Sequence, residues 1–266
     1  MTPLAYLRIW LASVRYSAAR AMMFRFDFFL WLAVDSAWMV VNLLFIEVLF
    51  EHITGLAGWS KPEMILLTGT SMVIMRMFFA FFFTNLVAVD RHLREGTLDF
   101  FVAQPGNPLF MVGTRKIEFD SLLNTALAAG IVIWAVRAMD LHPTFGVVAL
   151  YGYLIFCGLV IHFGIMASLV SLAFWLKRAQ GVESGYFGLF EVSKLPRGAL
   201  RGIMEVVFVY ALPAIIVSNV PAETLLGRNG FQLAPVAWIT ATAVGWFAVA
   251  ATLFHRGLRR YTSASS

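Results

Sequence analysis

The chain has almost no cysteine and little charge. One cysteine, Cys157, occurs in 266 residues. It lies in an apolar run, so neither an internal disulfide framework nor a cysteine-based zinc site can be assembled within one chain. Charged residues make up 13% of the sequence, against ~25% in an average soluble domain. The five histidines, His52, His92, His142, His162 and His255, fall in separate segments, and none belongs to a His-Glu-x-x-His zinc motif. His162, alone in an apolar stretch, reads as a packed or hydrogen-bonded histidine and not as a ligand. No metal site is expected. Gly69-Thr70-Ser71 is not a nucleophile elbow, because Val73 stands where that turn needs its second glycine. No Gly-Lys-Ser/Thr phosphate loop occurs, so this chain does not bind ATP in the P-loop manner, and any ATP and Mg²⁺ must sit on another subunit. An enzyme with an unrecognised site is the weaker reading.

What is abundant is apolar surface. Sixty per cent of residues are apolar, with 25 Phe and 8 Trp, and mean hydropathy is +0.80. A globule of this size could not hide that much from water, so lipid is the solvent. Crossing a ~30 Å hydrocarbon core as helix takes ~20 mainly apolar residues. Six stretches qualify: 26–50, 63–89, 119–136, 145–176, 202–220 and 234–254. The fourth is overlong, and either tilts steeply or projects beyond the membrane. Pro213 removes a backbone donor from the fifth and should kink it.

Of the twenty Lys and Arg, sixteen fall before the first span, within 90–118, within 177–201 or after the last span. The opposite loops hold Lys61, Arg137 and Arg228, and Arg76 is inside a span. This bias places both termini in the cytoplasm and makes the number of spans even. The net charge of +5 is thus mainly an orientation signal. Nucleic-acid binding is not expected, since no basic stretch is interleaved with aromatics on a polar face.

The expected fold is all-α and integral to the membrane, with six transmembrane helices. Residues 1–25 form an N-terminal interface helix, 26–254 the transmembrane domain and 255–266 a cytoplasmic tail. Leu4, Leu7, Leu11, Val14 and Ala18 make one helical stripe flanked by Arg8 and Arg15, which suits a helix lying in the headgroup layer. The glycine-containing loop 177–201 should leave the membrane. The outer loop 219–233 is either an ordinary loop or a short helix over 222–226 dipping into the outer leaflet.

Asp35 and Arg76 lie in successive spans that run in opposite directions, at depths differing by only ~5 Å, so their side chains can pair. Asn42, seven residues after Asp35, extends a polar face on the first span. An unpaired charge at that depth costs at least ~2.5–3.5 kcal/mol. The pair either pins two helices together or lines a route for substrate or ion. The second possibility defines one rival reading, an ATP-independent secondary transporter or channel.

Between the second and third spans, the loop 90–118 alternates charge with apolarity. Leu93, Leu98, Phe101 and Val102 predict a short amphipathic helix that Pro105, Gly106 and Pro108 should end. The charged stretch Glu95-Gly96-Thr97-Leu98-Asp99, the apolar pair Phe100-Phe101 and the turn Gln104-Pro105-Gly106-Asn107-Pro108 resemble the first cytoplasmic loop of the permeases of type-2 ABC (ATP-binding-cassette) exporters. The resemblance extends over nearly the whole chain: interface helix, six spans, both ends inside and a longer outer segment before the last span. It implies that the loop contains a coupling helix docked on a separate nucleotide-binding subunit, with Arg91, Arg94, Glu95, Gly96, Asp99, Gln104 and Pro105 at or near the contact. It also implies a second permease chain, identical or homologous, two nucleotide-binding subunits, a bacterial inner-membrane location and outward transport. If Phe28, Phe29, Phe78, Phe79, Phe81, Phe82 and Phe83 line the pathway, the cargo is a hydrophobic small molecule, a drug or a lipid-like compound.

Overall fold

The computed structural model describes residues 2–176, 182–228 and 233–261. Among them the backbone is helical almost throughout, with one isolated β-bridge, Leu56 to Trp59. Helix α1 (Pro3–Met23) has Pro3 in its first turn, where the missing N–H costs nothing, and passes at Phe24 into α2 (Arg25–His52). A turn through Ala57 and Gly58, both with positive φ, leads to α3 (Lys61–Glu95). A capping box opens α3: the Ser60 N–H donates to Glu63 Oε2 at 2.7 Å. Phe79–Phe83 is a π-turn within it.

At 35 residues α3 is about 50 Å long. It therefore outreaches a ~30 Å hydrocarbon core and carries the short helices α4 (Asp99–Val102) and α5 (Pro108–Gly113) beyond it. The amphipathic piece ends by Pro105 and Gly106, whereas Pro108 does not terminate it. Pro108 instead opens α5, whose first turn is capped by Asn107 Oδ1 accepting from the Leu109 N–H at 2.9 Å.

The remaining helices are α6 (Phe119–Ala138), α7 (Phe145–Phe174), α8 (Val182–Ser193), α9 (Ile203–Ala211), α10 (Ala214–Leu225) and α11 (Leu233–Leu258). Among the described residues five helices, α2, α3, α6, α7 and α11, are long and apolar enough to cross a membrane. The protein is an all-α, multi-pass membrane protein. In their most apolar stretches α7 is 83% buried and α2 only 11%, so α7 is the central post and α2 an outer wall. The overlong fourth span does not project as a free rod, because its end packs on α11 with Phe174 and Phe254 rings 5.5 Å apart. Glycines allow these close approaches: a Cβ on Gly164 would lie 2.7 Å from the Trp246 carbonyl carbon, and one on Gly69 3.1 Å from Val132. Small residues at such contacts let helices pack tightly where lipid offers no hydrophobic drive between them.

The fifth crossing is not where hydropathy puts it. Ile203–Ala211 and Ala214–Leu225 are bent by 77° at Leu212 and Pro213, and both limbs belong to the half of the bundle that holds the 53–60 turn. Ser218 donates to the Ser193 carbonyl, and Asn219 Oδ1 accepts from the Arg197 N–H at 2.9 Å. Beyond α10, Arg228 reaches the Gly58 carbonyl at 2.9 Å. The pair is thus a re-entrant hairpin on the face opposite the termini. The element that changes faces is α8. Its Tyr186 bonds His162, about 25 Å along α7 from the far face, and Ser193 bonds Ser71, about 15 Å along α3 from that same face. Gly198 then packs on Ala57.

The described part of that loop, 182–201, therefore does not leave the bundle as expected. Its apolar face is buried in the bundle, and Lys194, Arg197 and Arg201 belong to the far half. Moving these three reduces the sixteen-to-three asymmetry to thirteen to six. Lys177, Arg178, Gly181, residues 229–232 of the outer loop and 262–266 of the tail lie outside the described residues.

Candidate functional site

A cleft of about 830 Å³ lies between α2, α3, α8 and the start of α6. Helix α2 supplies one wall with a stripe at helical spacing: Phe28, Trp31, Asp35, Trp38 and Asn42. Opposite are Met72, Met75, Arg76, Phe79 and Phe83 of α3, and Phe187, Glu191 and Lys194 on and just after α8. Of the phenylalanines named as pathway candidates, Phe28, Phe79 and Phe83 do line the cleft. The others do not. Phe29 is 62% exposed, Phe78 is fully buried, Phe81 packs on Trp10 and Phe82 on Phe163.

Asp35 and Arg76 meet as an ion pair through Asp35 Oδ2 and Arg76 Nη1. The Arg76 side chain is 9% exposed and that of Asp35 17%. Asn124 of α6 extends the cluster: its amide approaches Asp35 Oδ2 at 3.4 Å, and its carbonyl accepts from Ser36 Oγ at 3.0 Å. Arg76 Nε has no acceptor among the described residues. Each charge needs the other, since stripping one partner from a buried pair leaves an uncompensated charge.

Higher in the cleft Asn42 Oδ1 accepts from Lys194 Nζ at 2.8 Å, and Glu191 Oε1 accepts from the same ammonium at 2.6 Å. Near the termini Lys116 pairs with Glu118, beside Arg20, Asp27 and Asp120. Charged groups thus line the cleft at three levels with aromatic rings between them. Such a wall can receive a molecule that has both apolar and polar parts.

At the terminus-bearing end, α3 stops at Gly96, whose φ of +69° is a left-handed conformation that glycine adopts without strain. The reversal is held by His92 Nδ1 and Thr97 Oγ1 at 2.8 Å and by the Leu98 N–H donating to the His92 carbonyl at 3.2 Å. Leu98 is fully buried and acts as the anchor. Phe100 is 60% exposed and borders a shallow depression with Arg91, His92, Glu95, Gly96, Thr97 and Phe101.

Three of the proposed contact residues, Arg91, Glu95 and Gly96, therefore share one surface. The other four are turned elsewhere or stand apart. Arg94 pairs back to Asp90, and Gln104 accepts from Arg115 at 3.1 Å, while the Arg115 guanidinium covers Phe100 and Phe101 at 5.5 and 5.6 Å. Asp99 faces Tyr261 after α11, whose phenol is raised above its usual range by burial and by that carboxylate. Pro105 is exposed.

Helix α1 is a clamp on this region. Leu4, Leu7 and Leu11 are exposed on its outer face. Its other face grips the loop. Tyr6 Oη accepts from the Asn107 N–H at 2.8 Å and its ring meets Phe110 edge-on at 4.9 Å, while the buried Ser17 Oγ accepts from the Ile117 N–H at 3.0 Å. Sequence reasoning missed that second face, although Tyr6, Trp10 and Ser17 recur at helical spacing. It also missed Phe187, Glu191 and Lys194, because it placed no helix there.

Neither a curated protein nor a solved structure matches the chain. A family model described as "ABC-2 family transporter protein" matches residues 36–265, which include the loop after α3, the re-entrant hairpin and the cleft lining from Trp38 onward, and the chain belongs to that family of membrane transporter components.

Proposed function

We propose that this chain is the permease subunit of an ATP-driven exporter in a bacterial cytoplasmic membrane, with both termini cytoplasmic. The observation that carries the reading is the continuity of α3. One helix bears Arg76, Phe79 and Phe83 in the cleft and Arg91, Glu95 and Gly96 at its protruding end. Force applied to the exposed end by a nucleotide-binding subunit moves the cleft wall directly, and the burial of Leu98 and the grip of α1 make the end stiff enough to transmit it. In this reading two nucleotide-binding subunits carry ATP and Mg²⁺, and a second permease chain, identical or homologous, completes the pathway of which this cleft is half. The mixed aromatic and charged lining suits a hydrophobic small molecule, drug or lipid-like compound as cargo. The re-entrant hairpin would close the outer exit.

The test is purification from native membranes. A P-loop ATPase should accompany the chain, and Glu95→Ala or Phe100→Ala should weaken its retention without reducing membrane insertion. An ATP-independent transporter would instead purify alone and move its cargo on an ion gradient.

A further inference from the structure

Helix α8 presents two faces that differ in kind. Tyr186, Leu189, Phe190 and Ser193 are buried against α3, α7 and α10, whereas Phe187, Glu191 and Lys194 line the cleft. The two sets are offset by about 100° around the helix, so the rotation of α8 decides which one the cleft receives. Neither Gly185 nor Gly188 would bring a Cβ within 4 Å of another group, so the buried face alone sets that rotation.

Two directional contacts lie on the buried face: Ser193 Oγ meets Ser71 Oγ at 2.6 Å near the end of the helix, and Tyr186 meets His162 in its middle. His162 Nδ1 and Tyr186 Oη are 2.7 Å apart, and Tyr186 Oη also reaches the His162 carbonyl at 3.3 Å. The imidazole stacks on Phe190 at 4.3 Å, and Phe78 closes the box at 5.9 Å from His162 and 5.4 Å from Tyr186. His162 Nε2 has no partner among the described residues. A position serving only to fill space would hold an apolar side chain, which carries no such desolvation cost. A ring contact weakens gradually as a helix turns, but a buried hydrogen bond away from water is either made or lost with both groups stranded.

We propose that His162 and Tyr186 are a positioning pair that fixes the rotation of α8, and thereby holds Phe187, Glu191 and Lys194 in the cleft. This geometry stands without the exporter reading. Only the significance of the cleft as a transport pathway rests on it.

The test uses cysteine labelling in a Cys157→Ala background, with a membrane-permeant maleimide on the full chain in its membrane. Reporters are Glu191→Cys on the cleft face and Leu189→Cys on the buried face. In Tyr186→Phe the Glu191→Cys rate should fall and the Leu189→Cys rate should rise, their ratio changing roughly tenfold, the population change that one buried, unsatisfied hydrogen bond can produce. His162→Phe, which keeps a ring on Phe190, should do the same and serves if Tyr186→Phe fails to fold. His162→Asn places an oxygen where Nδ1 was and should restore the parent pattern. Rates unchanged in both phenylalanine variants, or rising together at both reporters, would overturn the proposal. Neither ATP nor cargo enters the assay, so its failure is distinct from failure of the exporter reading.

Discussion

Asp35 and Arg76 make the most discriminating pair to perturb. Arg76 is the more buried partner and its Nε has no acceptor among the described residues, so Asp35→Asn leaves a cation stranded beside the cleft. Removing one member of a buried pair costs ~3–5 kcal/mol in water-soluble proteins, and a lone charge at mid-membrane ~2.5–3.5 kcal/mol on insertion scales. Asp35 retains some exposure to the cleft, so the lower range applies and about 2–3 kcal/mol is expected for Asp35→Asn. Arg76→Gln should cost less, about 1–2 kcal/mol, because the remaining carboxylate lines the cleft and can be hydrated there. The double variant removes both charges and keeps amides that can bond each other, so it should fall within about 1 kcal/mol of the parent. The resulting coupling is about 2–5 kcal/mol, readable by reversible unfolding in detergent micelles across the four proteins. Additive losses would refute the claim that the two charges compensate each other. Transport by the double variant separates the two roles: a pinning pair tolerates the exchange, whereas an ion relay loses all activity.

Other predictions concern backbone and packing. Gly96→Val forces a β-branched residue into a left-handed conformation, at roughly 1–2 kcal/mol, and should lower ATP-coupled transport while leaving membrane insertion unchanged. Gly164→Ala must push α7 and α11 apart, because the new methyl would meet the Trp246 backbone. A loss of about 1–3 kcal/mol is expected in thermal unfolding, whereas Gly152→Ala, with nothing within 4 Å of the new atom, should stay within about 0.5 kcal/mol. Arg228 pairs with Glu63 at 2.7 Å and covers the Trp59 ring at 4.5 Å. Arg228→Ala should cost about 1–2 kcal/mol and speed hydrogen exchange across residues 53–60 without altering it in α7.

The membrane class and the long spans were legible because apolar composition reports exclusion from water directly. The pairing of Asp35 with Arg76 was legible too, since helix rise converts sequence position into depth. The fifth crossing was not legible. Helix α8 has only twelve residues and contains Gly185 and Gly188, so it never reaches the length and apolarity expected of a span. Helix α10 is mostly apolar and is enclosed by protein, with Ala214–Ala222 buried, and hydropathy does not distinguish burial in a bundle from passage across lipid. The second face of α1 was hidden for another reason: its partners Asn107 and Ile117 are about a hundred residues away, and no local pattern encodes such a contact. The turn after α3 was legible as a segment, but the folding back of Arg94 and Gln104 was not, because it depends on Asp90 and Arg115.

The most direct measurement is photo-crosslinking from position 100 in native membranes, with a photoreactive phenylalanine analogue replacing Phe100, performed with and without ATP and Mg²⁺. An ATP-driven permease predicts a single adduct with a P-loop ATPase whose yield changes with nucleotide and falls in the Gly96→Val background. An adduct with lipid alone, insensitive to nucleotide, while the same cells transport at the parent rate, would contradict it.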